Sequence, residues 1–333
     1  MDEKKNKLLD LESSREDEKN YSLRPKKLEE FIGQKNLKEN LKTFILSSIK
    51  TSKTLDHIIF YGPPGLGKTT LANIVAFEKK VNIHFASGPA FTKKGDLVTM
   101  LSNLAEGDIL FIDEIHRLPP VIEETLYPAM EDFKCDYIIG SGPGARMMQL
   151  SIEKFTLIGA TTRLGLLSRP LRDRFGIPLQ LSFYDPNDLK IIIKKVAMTL
   201  STSISDEGCF EIAIRSRGTP RISIRLLKRV IDYSVVKNDQ KIQIETVKMA
   251  LENLKIDNLG LDEMDRKYLR LIKDNYDGGP VGIENLSAAL IEQKDIIEDV
   301  VEPYLIQQGL VQRTSRGRLL SIKGLEHIKK NFF

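Results

Sequence analysis

The sequence has little of what a secreted, membrane-spanning or metal-built protein needs. Two cysteines, Cys135 and Cys209, stand far apart in 333 residues and form no CxxC pair. That spacing excludes a disulfide framework and argues against a cysteine metal site. The four histidines, His57, His84, His116 and His327, are isolated and show no metal-ligand spacing. No run of about 18 apolar residues occurs, so no membrane helix is expected. The first twenty residues mix Lys, Asp, Glu and Ser and lack the apolar stretch of a secretory signal. The expectation is a soluble chain of the cytoplasm.

One sign of charge does not dominate either. Lys and Arg number 50 against 46 Asp and Glu, for a net +4, and 29% charged with 41% hydrophobic residues is ordinary globular composition. The small excess is local. Residues 311–333 hold six Lys/Arg against one Glu, so the rest of the chain is nearly neutral. The length predicts two or three domains.

Residues 1–20 read as a solvated tail, with a helical extension as the alternative. From 21 to 184 short apolar runs (His57–Tyr61, Val81–Ala86, Ile109–Asp113, Phe155–Ala160) alternate with helical spacing (36–50, Lys68–Lys79, Asp96–Leu104, Glu123–Met130). That alternation predicts an α/β domain, a parallel sheet covered on both faces. Between Asp136 and Ile152 two β-prone runs flank Gly140-Ser141-Gly142-Pro143-Gly144, which reads as an inserted hairpin or as a plain loop. Residues 185–256 carry four helical segments and predict a small helical domain. After a short linker at Asp257–Gly260, residues 257–333 read as three helices and a Gly/Arg-rich β-like end, the outline of a winged helix. Pro303 is expected to kink its helix and Gly309 to end it.

Gly62-Pro63-Pro64-Gly65-Leu66-Gly67-Lys68-Thr69 fits GxxxxGK[ST] between an apolar strand and an amphipathic helix, the context of a P-loop. Such a loop turns backbone N–H groups onto phosphate oxygens, with Lys68 at the β/γ-phosphates and the Thr69 hydroxyl on Mg²⁺. Ile109–Glu114 is an apolar strand ending in two carboxylates: Asp113 suits Mg²⁺, and Glu114 suits a water attacking the γ-phosphorus. His116 in the same loop reads as structural, for want of a partner. A third apolar strand ends in Thr161-Thr162, either of which could sense the γ-phosphate. Arg172 and Arg174 form a basic pair suited to a neighbour's ATP site or to a salt bridge with Asp173. Arg221 opens a helix, where a positive dipole end disfavours a cation unless an anion is near.

The segments GPPGLGKTT, FIDEIHRL, LYPAMEDF, FTLIGATTR, PLRDRFG, RGTPR and GGPVG…EPYLIQQG…RTSRGR, in this order, resemble the RuvB family of bacterial Holliday-junction branch-migration ATPases, members of the AAA+ class, from about Tyr21 to Leu320. The resemblance implies an AAA+ P-loop NTPase with a parallel sheet, a small helical domain and a C-terminal winged-helix head. It implies ATP and Mg²⁺, a homohexamer encircling duplex DNA, a four-way junction, a RuvA-type junction-binding partner and a RuvC-type resolvase. By the same resemblance Leu23 and Arg24 would border the nucleotide, with Gly65, Lys68, Thr69 and Thr70 on the phosphates. Glu131, Asp132 and Phe133 would lie near the nucleotide, Arg174 would be the arginine finger, and Tyr184 and Arg221 would also contact the nucleotide. The Tyr137–Gln149 hairpin would carry the partner contact, and Arg313 and Arg318 would touch DNA. Lys294 stands where the family usually has Arg and keeps the charge without the bidentate fork.

Independently of the resemblance, Arg313-Thr314-Ser315-Arg316-Gly317-Arg318 places three guanidiniums on a turn. Such forks suit phosphate, and with no aromatic interleaved the reading is backbone tracking without sequence readout. The rivals to a motor are an ATP-gated switch that binds DNA without moving along it, and a protein-remodelling ATPase whose head binds a partner.

Overall fold

The computed structural model describes residues 24–139 and 146–331. The chain divides into two compact units. The first comprises residues up to Gly62 and from Gly67 to Leu181, and the second Pro63–Leu66 with Ser182 onward.

The first unit holds a five-stranded sheet of order β2-β3-β6-β1-β7. Its strands are β1 (Ile58–Tyr61), β2 (Ile83–Ser87), β3 (Ile109–Asp113), β6 (Thr156–Thr161) and β7 (Ile177–Gln180). Every pairing is parallel. The helices are α1 (Lys35–Lys50), α2 (Lys68–Lys79), α3 (Lys94–Ser102), α4 (Pro120–Glu131) and α5 (Arg169–Asp173). The central strands β3 and β6 are apolar and buried almost throughout, as covering both faces of a parallel sheet requires. Gly159 in β6 is packed so closely that a Cβ there would lie 2.8 Å from Ile59 Cδ1. Strand β7 escapes the sequence reading because only alternate residues are buried and Pro178 interrupts it. Both features belong to an edge strand.

The inserted segment is a hairpin. β4 (Lys134–Ile139) and β5 (Arg146–Ser151) pair antiparallel, with Tyr137 opposite Met148. Its turn at 140–145 lies outside the described residues.

The second unit contains α6 (Pro186–Thr199), α7 (Asp206–Ile214), α8 (Pro220–Lys237) and α9 (Ile244–Asn253), the four helices expected of a small helical domain. It continues into the head: α10 (Glu263–Tyr276), α11 (Ile283–Leu290), α12 (294–307), the hairpin β8 (Val311–Thr314) and β9 (Gly317–Leu320), and α13 (Ile322–Asn331). The closing helix α13 falls in the stretch whose sequence reads as a β-like end. Within α12 a π-helical turn, Ile297–Val301, precedes Glu302–Gln307. Pro303 has no N–H and crowds the carbonyl four residues earlier, which accounts for this turn. Gly309 ends the helix at φ 68°. Tyr268, Leu269, Ile272, Leu286, Ile297, Leu305 and Leu310 build the head's own core.

Candidate functional site

The parallel register sorts the candidate residues by sheet edge. Tyr61 pairs with Thr161, and Ser87 with Asp113. The P-loop after β1, the carboxylates after β3 and the threonines after β6 therefore share the C-terminal edge, where such sheets bind ligands. In the P-loop Gly62 sits at φ 140°, and a Cβ there would meet Leu181 O at 2.4 Å. Only glycine fits. Lys68 starts α2 with its Nζ donating to Gly62 O at 2.8 Å, and Thr69 and Thr70 in the next positions are half-buried.

Asp113 accepts from Glu114 N at 2.9 Å. Glu114 is exposed and held at φ 48°, in the left-handed region, a strained state of the kind that gathers at functional sites. Its carboxylate meets Arg117 at 3.0 Å, a partner that the sequence reading overlooked although i,i+3 pairing in a turn offered the signal. Gly88 keeps room for this turn, since a Cβ there would lie 2.5 Å from Glu114 O.

His116 has the partner that its sequence did not reveal. Its Nδ1 lies 3.0 Å from Thr161 Oγ1, which also accepts from Arg163 N at 3.0 Å. Thr161 is thus buried and committed, and Thr162 is the more accessible hydroxyl. Thr69 and Asp113 are hard oxygen donors, the set that Mg²⁺ takes together with phosphate oxygens. Among the described residues no cluster of three metal-ligating side chains occurs, so a dedicated all-protein cage is not built there.

Arg174 lies elsewhere. It precedes β7, whose Ile177 pairs with Ile58 at the start of β1. Met130 O, at the end of α4, is 3.0 Å from the Nε2 of His57, the residue before β1. Arg174 and Glu131 therefore occupy the N-terminal edge, roughly 10 Å of strand from the P-loop edge. There Arg174 Nη2 donates to Glu131 at 3.1 Å and Nη1 to Pro170 O at 2.8 Å, with the guanidinium 4.5 Å over the Tyr127 ring. Phe133 turns inward against Phe155, at 6.1 Å between ring centroids. Glu131, Asp132 and Phe133 are thus not gathered with Lys68 of the same chain, and Phe133 serves the core. Arg169 pairs with Asp173 at 3.5 Å.

In the second unit Tyr184 is buried, and its hydroxyl donates to Leu66 O at 3.0 Å. Arg221 N approaches Gly65 O at 3.3 Å, which puts the start of α8 against the P-loop backbone. Arg24 is exposed, and Leu23 lies outside the described residues.

The wing corrects the sequence reading most. Arg313 and Arg318 face each other across β8 and β9, but neither guanidinium simply awaits phosphate. Glu302, fully buried, accepts from Arg313 Nε at 2.6 Å and Arg318 Nε at 2.9 Å. Tyr268 donates to it at 3.0 Å. Glu298 takes Arg318 Nη2 at 2.6 Å. Burial first, and then the Glu302 charge, pushes the Tyr268 phenol above its ordinary range, so it stays a donor. The Arg318 side chain is 12% exposed and that of Arg313 44%. Arg316, in the two-residue turn, is exposed. Lys294 pairs with Glu284 at 2.5 Å.

Comparison with known proteins covers nearly the whole chain. Residues 23–181 match the family model of the Holliday junction DNA helicase RuvB P-loop domain, 184–257 the RuvB AAA lid domain and 258–329 the RuvB C-terminal winged helix domain. The Holliday junction branch migration complex subunit RuvB of Paramagnetospirillum magneticum is 54% identical over 310 residues, 93% of this chain and 89% of the relative. The structure of the Thermotoga maritima RuvB Holliday junction branch migration motor superposes with a TM-score of 0.86 at 49% identity, over 92% of this chain and 98% of the other. A Thermotoga maritima RuvB point variant superposes at 0.87 over the same shares. The chain belongs to the RuvB family of AAA+ ATPases.

Proposed function

We propose that this chain is the ATP-hydrolysing motor that drives Holliday-junction branch migration in recombination and repair. It works in the cytoplasm as a homohexamer around duplex DNA. Its large domain spans 21–184, its small domain 185–256 and its head 257–333. The observation that carries the ring is the separation of Arg174 from the P-loop on opposite edges of one sheet. A guanidinium so placed serves a neighbour's nucleotide, and a subunit that gives at one edge and receives at the other assembles head to tail into a closed ring.

Within a subunit, Lys68 and the backbone N–H groups at the start of α2 hold the phosphates, and Gly65, Thr69 and Thr70 line them. Thr69 and Asp113 would hold Mg²⁺, which would supply positive charge to offset that of the phosphates. Glu114 orients the attacking water and accepts its proton, after leaving Arg117. Thr162 reports the γ-phosphate. Arg174 of the adjacent subunit meets the charge that develops on the transferred group, and Glu131 on the same edge holds that guanidinium in place. Tyr184 and Arg221 bind the nucleotide through the second unit. An arginine of this kind raises hydrolysis by on the order of 10³–10⁵.

The hairpin β4–β5 docks the RuvA-type partner that holds the junction, and a RuvC-type resolvase joins the assembly. The head meets DNA through the wing. Its α12 carries Asp295, Glu298, Asp299 and Glu302 against Lys294 alone, a charge pattern that repels phosphate. Contact therefore falls to Arg316 and the exposed part of Arg313, with Arg318 behind them.

A synthetic four-way junction, the RuvA-type partner and ATP test the reading. The expected result is conversion to duplex products, abolished by Lys68→Ala. A junction left unresolved, or Lys68→Ala equal to the unaltered protein, overturns it.

A further inference from the structure

Arg217 opens the run Arg217–Arg221, and its side chain is 8% exposed. Its guanidinium pairs with Asp265, which is 1% exposed. It also reaches Asp262 at 3.5 Å, and it lies 5.2 Å over the ring of Tyr304 in α12. The Tyr304 hydroxyl donates to Leu259 O at 2.7 Å. At the far end of the same run, Thr219 caps α8 and Arg221 N meets Gly65 O at 3.3 Å. Between the two ends, Gly218 O accepts from Tyr184 N at 2.8 Å, and Tyr184 is the residue bonded to Leu66 O. Five residues thus meet Gly65 O on one side, directly, and Leu66 O through Tyr184, and the first and third helices of the head on the other.

The linker beside this run, expected from sequence to be a simple connection, is pinned throughout. Arg215 Nη1 donates to Ile256 O at 3.0 Å and Arg266 Nη2 to Lys255 O at 2.6 Å. Asp257 accepts from Leu259 N at 2.9 Å and Leu261 N at 2.8 Å, and pairs with His327 of α13 at 2.8 Å. A Cβ at Gly260 would meet Arg215 O at 2.4 Å. Burial pushes the Asp265 carboxyl up to about 7, against the pull of Arg217. A buried ion pair of this kind is weak evidence for stability, because apolar residues of the same volume often serve as well. Its geometric definition is what an apolar pair lacks.

We propose that Arg217 is a positioning residue of the motor: it locks the head to the lid, so that displacement of Pro63–Leu66 reaches the wing as rigid-body motion instead of being absorbed at residues 255–262. The inference rests on the motor reading above.

The test compares the full-length protein with Arg217→Lys, which keeps the charge and loses the fork. Two readouts are taken: junction migrated per ATP hydrolysed, and hydrogen exchange of the Leu259 and Leu261 amides. ATP turnover is expected to stay within about twofold while migration per ATP falls at least about tenfold, the split between chemistry and coupling. The two amides should exchange about tenfold faster. Parallel loss of hydrolysis and migration at constant ratio makes Arg217 merely structural and overturns the inference, as does unchanged linker exchange. Should Arg217→Lys fold too poorly to assay, Tyr304→Phe decides by the same readouts. It removes the bond to Leu259 O and keeps the ring, and is expected to lower migration per ATP by about threefold. Failure of the unaltered protein to migrate junctions is seen before any variant is compared. It overturns the motor reading, and this inference with it.

Discussion

Glu302 shows why a residue's neighbours decide what it does. A carboxylate with no exposed surface faces two guanidiniums and a phenol, and removing one partner of such a set leaves buried charge uncompensated. Glu302→Gln is expected to destabilise the head by about 3 kcal/mol, read as a lowered thermal midpoint. Arg316→Ala should leave that midpoint unchanged and reduce the salt slope of DNA binding by about one. An unchanged slope would remove Arg316 from the DNA contact. At the other edge of the ATPase, Glu131 pairs with Arg174 at 3.1 Å. On the proposed role of Arg174, Glu131→Gln is expected to lower kcat by about tenfold with nucleotide affinity unchanged, because it loosens that guanidinium without touching the P-loop. A matching loss of nucleotide affinity would place Glu131 on the subunit's own nucleotide. None of these pairings was legible in the sequence, since their partners are far apart along the chain or belong to unremarkable charged runs.

The elements were more legible than their contacts. The P-loop helix, the acidic strand β3 and the four lid helices follow from apolar spacing, turn chemistry and Gly/Pro punctuation, which are local. Strand β7 and helix α13 were not read. The first is half exposed and contains proline, and the second begins in a run whose lysines masked its apolar face. Lid packing offers a test by pH. The exposed carboxylate Asp206, at the start of α7, bridges to Lys194 at 2.7 Å and Lys190 at 3.0 Å in α6. Lys194 first, and Lys190 with it, lowers its pKa from 3.8 to about 2. A depressed acid stabilises the fold above its unfolded pKa and loses that contribution as pH falls. The difference in thermal midpoint between the unaltered protein and Asp206→Asn should therefore shrink from about pH 4 to about pH 2. A difference constant over that window would show the bridges to be idle.

At the scale of the whole molecule the proposed ring would place a second subunit at each ATP site. The P-loop and Arg174 lie on opposite edges of one sheet, so on the proposed ring mixing should rescue activity. Lys68→Ala and Arg174→Ala subunits, each inactive alone, are expected to hydrolyse ATP together at a clear fraction of the unaltered rate. No recovery on mixing would place the finger in its own subunit's site. The sequence by itself determined the parallel-sheet ATPase, the helical lid, the winged head and the P-loop motif, because these depend on short-range pattern: glycine where backbone makes a tight turn, apolar runs where strands are buried, 3.6-residue spacing where helices pack. Tertiary structure alone decided which charges remain available. Summed along the chain, residues 311–333 are a basic cluster. In the fold Glu298 and Glu302, from just outside that window, cover Arg318 and part of Arg313 and leave Arg316 at the tip. Coulomb attraction depends on distance in space, and only the folded chain sets that distance.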